Sequence, residues 1–170
     1  ESSDYVFTAL GDLFTRSDLD ERLDSLRAHL RTRGHAEDTI ALIRGIAERC
    51  YAIEFPTAVP LSERVLWPSM EAERAGMEDA RFVRFVEDDG SVTYYATYTA
   101  YSGSHISQQM LQTTDFRSFN SVPLVGRAAA NKGLALFPRR INGRYAAMSR
   151  SDRETNTVAF ADHLSVWTSA

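Results

Sequence analysis

Two short segments place charged side chains immediately ahead of strand-like runs. Glu78, Asp79 and Arg81 precede the first run, which begins at Phe82. Lys132 precedes a second run further along the chain. Acidic and basic groups gathered at the mouth of a pocket suit a ligand rich in oxygen atoms. The pattern therefore predicts a site for a sugar or a phosphate.

An internal repeat relates the two segments. In each copy an apolar run leads into a hairpin turn and then into a run with Tyr and Ala. The turn glycines, Gly90 and Gly143, lie 53 residues apart, and this offset puts Asp79 and Lys132 at equivalent positions. A repeat of about 50 residues with three or four antiparallel strands is typical of a β-propeller blade. In that fold both side chains face one central pocket.

The same residues also allow a structural interpretation. Asp79 and Arg81 could form a local ion pair, Lys132 could be a solvated loop residue, and two similar meanders could be coincidence. Arg150 follows the second strand of the later unit and could turn inward. It could equally belong to a solvated basic face, since four other arginines lie close to it in the sequence. They are Arg139, Arg140, Arg144 and Arg153.

The strands that would position these groups are predicted from alternating apolar, aromatic and β-branched residues. In chain order they cover 51–55, 82–86, 93–101, 105–113, 134–137, 145–149 and 157–161. They indicate a mainly β fold with two blades and part of a third in 51–67. A propeller needs at least four blades to close. We therefore expect the chain to be the central part of a longer protein.

The N-terminal region reads as a helical hairpin in 17–50. Ser17 is the predicted N-cap of its first helix, Gly34 the predicted stop, and Cys50 the end of the buried face of the second helix. The buried face of the first helix is predicted to consist of Leu19, Leu23, Leu26 and Leu30. We thus predict two regions, a helical hairpin in 1–50 and incomplete propeller blades in 51–170.

Composition excludes several classes of function. The 170 residues are 44% hydrophobic and carry a net charge of −4, so no basic field predicts nucleic-acid binding. No apolar stretch is long enough to span a membrane. The single cysteine cannot form an internal disulfide, and the four histidines lack metal-ligand spacing. We expect a cytoplasmic protein without a metal or an organic cofactor.

Several segments resemble, as an ordered set, glycoside hydrolase family 130, the mannoside phosphorylases and related β-mannosidases. The resemblance covers roughly 51–170, and the helical hairpin resembles an insertion found in longer members. It implies a five-bladed propeller with a sugar site on its axis. The matching segments are Gly76–Phe82, Tyr95–Tyr101, Asn131–Pro138, Tyr145–Arg150 and Phe160–Trp167.

The resemblance also implies roles for the charged residues. Asp79 would be the general acid that protonates the glycosidic oxygen, through a hydroxyl of the bound mannose, while inorganic phosphate attacks the anomeric carbon with inversion. Lys132 and Arg150 match positions that contact phosphate. Arg81 would position the acid, and Glu78 would support the substrate side of the site. Inorganic phosphate is then a co-substrate, beside an oligosaccharide or glycoside.

Two departures from the family pattern leave this chemistry possible. Ala80 stands where many phosphorylases carry proline, and Lys132 where some carry arginine. The leading interpretation is phosphorolysis of β-mannosides or related glycosides, and the alternatives are a hydrolase on the same scaffold or a non-catalytic carbohydrate- or protein-binding propeller. Other site residues of the family lie outside the chain. We expect the segment alone to be inactive and to associate with itself or with the missing blades.

Overall fold

The computed structural model describes residues 6, 10, 14–29 and 35–168. The chain divides into two compact units, Glu1–Glu48 and Arg49–Ala170. The first unit contains helices α1 (Arg16–His29) and α2 (His35–Ala47). The described part of the second unit contains eight strands and three short 3-10 helices. Within the described ranges, no helix is long and apolar enough to cross a membrane.

A capping box starts α1 two residues earlier than its apolar pattern indicates. The Thr15 hydroxyl accepts a hydrogen bond from the Asp18 amide at 3.2 Å, and the Asp18 carboxylate accepts one from the Thr15 amide at 2.7 Å. The bond from the Thr15 backbone is the main cause that holds the pKa of Asp18 below its usual value. The predicted cap at Ser17 is wrong, because Ser17 already lies inside the helix.

The leucine face predicted for α1 is confirmed where it is described. Leu19, Leu23 and Leu26 are buried and pack with Ile40 and Ile43 of α2. These contacts remove one apolar stripe of each helix from water, which is the main source of stability for short helices.

Three other predictions for this hairpin have different outcomes. Leu30 and Gly34 lie outside the described residues. Helix α2 ends at Ala47, and Cys50, predicted as the buried end of its apolar face, lies beyond the helix and is exposed. The apolar spacing typical of a helix thus continues in the sequence to Cys50, three residues beyond the end of the helix.

The first sheet has five antiparallel strands in the order β1-β5-β4-β3-β2. Strands β2 to β5 form a meander, and β1 joins its outer edge by pairing with β5. The segment 51–54 thus extends the first blade, and the expectation that 51–67 supplies part of a third blade is wrong. The strands are β1 (Tyr51–Glu54), β2 (Gly76–Val86), β3 (Val92–Tyr101), β4 (Ile106–Thr113) and β5 (Ser118–Pro123).

The second sheet has three antiparallel strands in the order β6-β7-β8. They are β6 (Ala135–Leu136), β7 (Tyr145–Ser149) and β8 (Thr157–Ala161). Two successive antiparallel meanders are the architecture of a partial β-propeller. The mainly β fold predicted from the repeat is confirmed, with two blades in the described residues.

One apolar core holds the two sheets together. Phe85 of the first sheet lies 5.6 Å, between ring centroids, from both Tyr95 and Tyr145. On the second sheet Ala147 and Ala159 are fully buried in the same core. Because alanine side chains are small, the second sheet approaches the aromatic side chains of the first closely.

A buried polar cluster lies on the other face of the first sheet. Glu73 is fully buried, and one of its carboxylate oxygens accepts hydrogen bonds from the hydroxyls of Tyr98 and Tyr51. The other oxygen accepts a hydrogen bond from the Ser69 amide at 2.8 Å. Burial, followed by the hydrogen bond to Glu73, raises the pKa of Tyr98 far above its usual value, so this hydroxyl remains a donor. The cluster fastens the segment ahead of β2 to the sheet.

Replacing Gly126 with alanine should destabilise the second unit strongly. A Cβ at Gly126 would lie 2.3 Å from the carbonyl oxygen of Trp167, and the backbone has φ +105°, ψ 167°. That region is open essentially to glycine alone. Gly143→Ala is the control, since Gly143 has φ +75° with nothing within 4 Å of a built Cβ. We expect urea unfolding to show a loss of about 1–2 kcal/mol for Gly143→Ala and a larger loss for Gly126→Ala. Equal losses would contradict the close contact.

Removing the Tyr98 hydroxyl should cost more stability than removing the Tyr101 hydroxyl from the same strand. Tyr98→Phe leaves the buried Glu73 with one donor fewer, which should cost about 1–3 kcal/mol in urea unfolding. Tyr101 donates to the Gly103 carbonyl oxygen at an exposed position, where water replaces the lost partner. Tyr101→Phe should therefore cost less than about 1 kcal/mol. An equal effect of the two substitutions would show that Glu73 does not depend on Tyr98.

Candidate functional site

A β-bulge in β2 presents the Asp79 carboxylate. The pairing of β2 with β3 changes register between Glu78, opposite Thr99, and Arg81, opposite Thr97. Asp79 lies inside this bulge with φ +56°, and its side chain is exposed. Aspartate is one of the few residues that adopt such a left-handed backbone readily. Strand β2 begins at Gly76 and includes the bulge. The segment that the sequence pattern placed ahead of the strand is therefore part of it.

Lys132 approaches this strand from the loop before β6. Its ammonium nitrogen lies 2.6 Å from Oε2 of Glu78. The hydrogen bond to Glu78 is the largest cause that raises the pKa of Lys132, and the charges of Glu78 and Asp79 add to it. Lys132 therefore stays protonated to a higher pH than a free lysine, and it has two further N–H donors for a ligand.

Gly133 lies between two guanidinium groups. Nη1 of Arg81 donates to the Gly133 carbonyl oxygen at 3.3 Å. A Cβ built on Gly133 would lie 3.7 Å from Nη2 of Arg81 and 3.8 Å from Cβ of Arg150. Glycine thus leaves open a space that any other side chain would fill. Arg81 and Arg150 border that space, and Gly133 itself follows Lys132 in the chain.

Buried hydrogen bonds hold the loop that carries Lys132. The Thr97 hydroxyl of β3 donates to the Leu134 carbonyl oxygen at 2.5 Å, and Thr97 is 2% exposed. On the other side, the amide of Ala75 donates to the Tyr101 carbonyl oxygen at 2.9 Å and so fixes the start of β2. Strand β3 therefore holds both the start of β2 and the loop before β6 by hydrogen bonds.

The five charged residues predicted for the site come together at one place in the described structure. Glu78 and Lys132 form an ion pair, Arg81 bonds to the neighbouring Gly133, and Arg150 borders the same glycine. The charge of Asp79 acts on Lys132. The alternative pairing of Asp79 with Arg81 is not among the ion pairs of residues 14–29 and 35–168.

Two of the neighbouring arginines stabilise the second blade. The Arg140 guanidinium stacks 3.9 Å from the centroid of the Tyr145 ring and lies 3.3 Å from the Glu87 carboxylate. Arg144 pairs with Asp162 at 2.9 Å. These two arginines therefore have structural partners and are not simply part of a solvated basic face.

Sequence reasoning missed two residues that support the site. Glu73 resembles its exposed neighbour Glu71 in the sequence, and only the tertiary fold buries one of them. Asn131, directly before Lys132, has φ +62° and bonds to three residues in two other segments. Asparagine often adopts left-handed turn positions, so its type was a weak signal for this role.

The described residues hold no group of three or more His, Cys, Asp or Glu side chains that could bind a metal ion. The oxygen and nitrogen atoms of the candidate site are those of two carboxylates and three cations. This donor set fits an anionic or hydroxyl-rich ligand, because cationic side chains repel metal ions.

Comparison with known proteins supplies independent information. The family model described as beta-1,4-mannooligosaccharide phosphorylase matches residues 26–169. A curated beta-1,2-mannobiose phosphorylase from Listeria innocua is 31% identical over 85 residues, which are 50% of this chain and 22% of the relative.

A solved structure gives the same relationship. The beta-1,2-mannobiose phosphorylase from Listeria innocua, in complex with beta-1,2-mannobiose, aligns with a TM-score of 0.50 and 27% identity. The alignment covers 60% of this chain and 29% of that one, so the chain spans less than a third of the length of the relatives it matches. The family model covers most of the chain. The resemblance of the ordered segments is confirmed: this chain belongs to glycoside hydrolase family 130.

Proposed function

We propose that this chain supplies the acid and phosphate-binding side of the active site of a glycoside phosphorylase that acts on β-mannosides. The observation that carries the proposal is that Arg81 and Arg150 border the space at Gly133. Lys132, the residue before Gly133, pairs through its ammonium group with Glu78, next to the exposed Asp79. The named substrates of the family model and of the Listeria innocua relative support this substrate class.

The charges suit inorganic phosphate as the nucleophile. Arg81, Lys132 and Arg150 carry three positive charges, and the carboxylates of Glu78 and Asp79 carry two negative charges. When Asp79 holds the proton that a general acid donates, the local excess is two positive charges. A phosphate dianion matches that excess. Guanidinium groups bind phosphate through paired N–H donors, and Lys132 adds a compact charge. Its bond to Glu78 fixes the direction of the ammonium group while leaving two donors for phosphate.

The reaction follows from these roles. Phosphate attacks the anomeric carbon, the bond from that carbon to the leaving oxygen breaks, and Asp79 supplies the proton that the leaving oxygen takes up. One new carbon–oxygen bond forms, with inversion, and the products are a sugar 1-phosphate and the shortened glycoside. Phosphate is already a nucleophile, so a second carboxylate base is unnecessary, unlike in inverting hydrolysis. The cations also stabilise charge that develops in the transition state.

The remainder of the site belongs, on this proposal, to polypeptide beyond the chain. The relatives it matches are more than three times as long as the aligned part. We expect the 170-residue segment alone to be inactive, and the longest polypeptide that contains it to be the form to assay.

Asp79→Asn in that longest polypeptide should lower the rate of phosphorolysis about 10²–10⁴-fold, the usual range for loss of a general acid. Asparagine tolerates the left-handed backbone of the bulge, so the fold should persist. The measurement is the phosphate-dependent release of sugar 1-phosphate from a β-mannoside. Asp88→Asn, which removes an exposed carboxylate from the β2–β3 turn, is the control and should leave the rate unchanged.

Two results would contradict the assignment. Full activity of Asp79→Asn would remove Asp79 as the acid. Equal turnover of the unaltered polypeptide with and without phosphate would favour hydrolysis instead.

Glu78→Gln should make the Lys132 amine more reactive at a given pH. Acylating reagents attack the neutral amine, and loss of the Glu78 carboxylate removes the main cause of the raised pKa of Lys132. The pH profile of acetylation should therefore move to lower pH. Lys132 is the only lysine among the 170 residues, so the acetylated peptide is identified directly by mass.

The matched control for that measurement is Glu54→Gln. Glu54 also pairs with a cation at 2.6 Å, but its partner is Arg117. The acetylation profile of Lys132 should not change in this variant. An unchanged profile in Glu78→Gln would mean that the Glu78–Lys132 pair does not persist in solution.

We also propose that the edge strands of the two sheets, which have no further partner strand among the described residues, lead to association with a second copy of the chain or with further blades. Strands β1 and β2 end the first sheet, and β6 and β8 end the second. Exposed strand edges readily accept another strand. Sedimentation velocity of the 170-residue chain should show species larger than a monomer, and a stable monomer would contradict this proposal.

A further inference from the structure

Three residues from two other segments bind Asn131, the residue directly before Lys132. Gln108 of β4 donates through Nε2 to the Asn131 main-chain oxygen at 2.7 Å, and Gln108 is 3% exposed. The Asn131 amide nitrogen Nδ2 donates to the Ser151 carbonyl oxygen, and Nε of Arg153 donates to Asn131 Oδ1 at 3.1 Å. Asn131 therefore ties the loop before β6 both to the first sheet and to the turn after β7.

These bonds hold Arg150 from both sides. Its preceding residue, Ser149, is 1% exposed and donates through its hydroxyl to the Ala128 carbonyl oxygen at 2.6 Å. Its following residue, Ser151, accepts the bond from Asn131. The backbone on each side of Arg150 is thus fixed to the loop that carries Lys132.

We propose that Asn131 is a positioning residue that sets the separation of Lys132 and Arg150 for one anionic ligand, a phosphate group. The inference rests on the proposed function, which needs both cations on the same phosphate. A guanidinium group and an ammonium group share one phosphate only at a fixed spacing, because each bond depends on distance and angle. The bond from Asn131 Nδ2 to the Ser151 carbonyl oxygen sets the distance between the two cations. The bond from Gln108 to the Asn131 main-chain oxygen fixes both relative to the sheet that carries Asp79.

A pair of glycine substitutions separates positioning from backbone effects. Asn131→Gly keeps the left-handed backbone and the main-chain acceptor for Gln108, and it removes both side-chain bonds. Asn142→Gly is the matched control, because Asn142 also has a positive φ, +52°, in the turn between β6 and β7. Glycine suits both backbones, so neither substitution adds conformational strain.

The first measurement is the affinity for inorganic phosphate, by isothermal titration of the longest polypeptide that contains the chain. We expect Asn131→Gly to weaken phosphate binding about tenfold, the loss that corresponds to one hydrogen bond of about 1.4 kcal/mol. The KM for phosphate should rise by the same factor while the KM for the sugar stays constant. Asn142→Gly should change neither constant. A residue with a merely structural role would lower thermal stability without this selective change.

Hydrogen exchange supplies a readout that does not depend on phosphate. Amides of 149–153 should exchange faster in Asn131→Gly, and amides of β2 should not. Unchanged exchange at 149–153 would overturn the inference by itself.

The outcomes also separate the inference from the proposed function. If the unaltered polypeptide does not bind phosphate, both are overturned. If it binds phosphate and Asn131→Gly binds it equally well, only the role of Asn131 is overturned. Equal weakening in Asn131→Gly and Asn142→Gly would overturn that role as well.

Discussion

Four consecutive residues join the second blade to the first, and the candidate site exists only while that junction holds. Two of the four bonds come from buried donors, Thr97 and Gln108, whose loss would leave a polar group unsatisfied away from water. The outermost contact, between Lys132 and Glu78, is more than a third exposed, so it directs the ammonium group more than it stabilises the fold. The junction pairs Asn131 with Gln108, Lys132 with Glu78, Gly133 with Arg81, and Leu134 with Thr97.

Behind the junction, the size of the core side chains sets the distance between the blades. Ala147 and Ala159 of the second sheet share a core with Phe85 of the first, and none of the three side chains has measurable exposure. A larger residue at either alanine would separate the sheets, and hydrogen bonds weaken steeply when donor and acceptor move apart. The charged site therefore depends on apolar packing that none of its own residues supplies.

The sequence predicted the parts of the fold that repeat and missed those that depend on tertiary contacts. The β3, β4, β7 and β8 runs follow the strand pattern closely. Strand β5 was missed because its buried positions include Ser121, whose hydroxyl bonds to Tyr98, so no apolar alternation marks it. Strand β1 was recognised, but its partner β5 could not be predicted, because the two strands lie far apart in the sequence and only the tertiary fold brings them together.

The same limit applies to the site. The 53-residue offset brought Asp79 and Lys132 into one hypothesis, since repetition of a unit is visible in sequence. The contact between Lys132 and Glu78 could not be predicted, because the bulge shifts the register of β2 and so changes which of its side chains lie on each face of the sheet. The wrong cap prediction at Ser17 has a similar cause: serine and threonine both suit the position, and only the hydrogen bonds show that Thr15 occupies it.

The strained backbone at Asp79 is held in place by the ordered strand beside it. A left-handed aspartate costs on the order of 1 kcal/mol, and such a conformation persists only where the surroundings determine it. Here Thr97 and Thr99 of β3, both almost fully buried, pair with the residues on each side of the bulge. The bulge cannot shift along β2 without breaking a buried pair. The carboxyl of Asp79 consequently projects from a strand that is paired with β3 before and after the bulge. That rigidity suits the proposed general acid, which has to reach one oxygen atom of a bound glycoside.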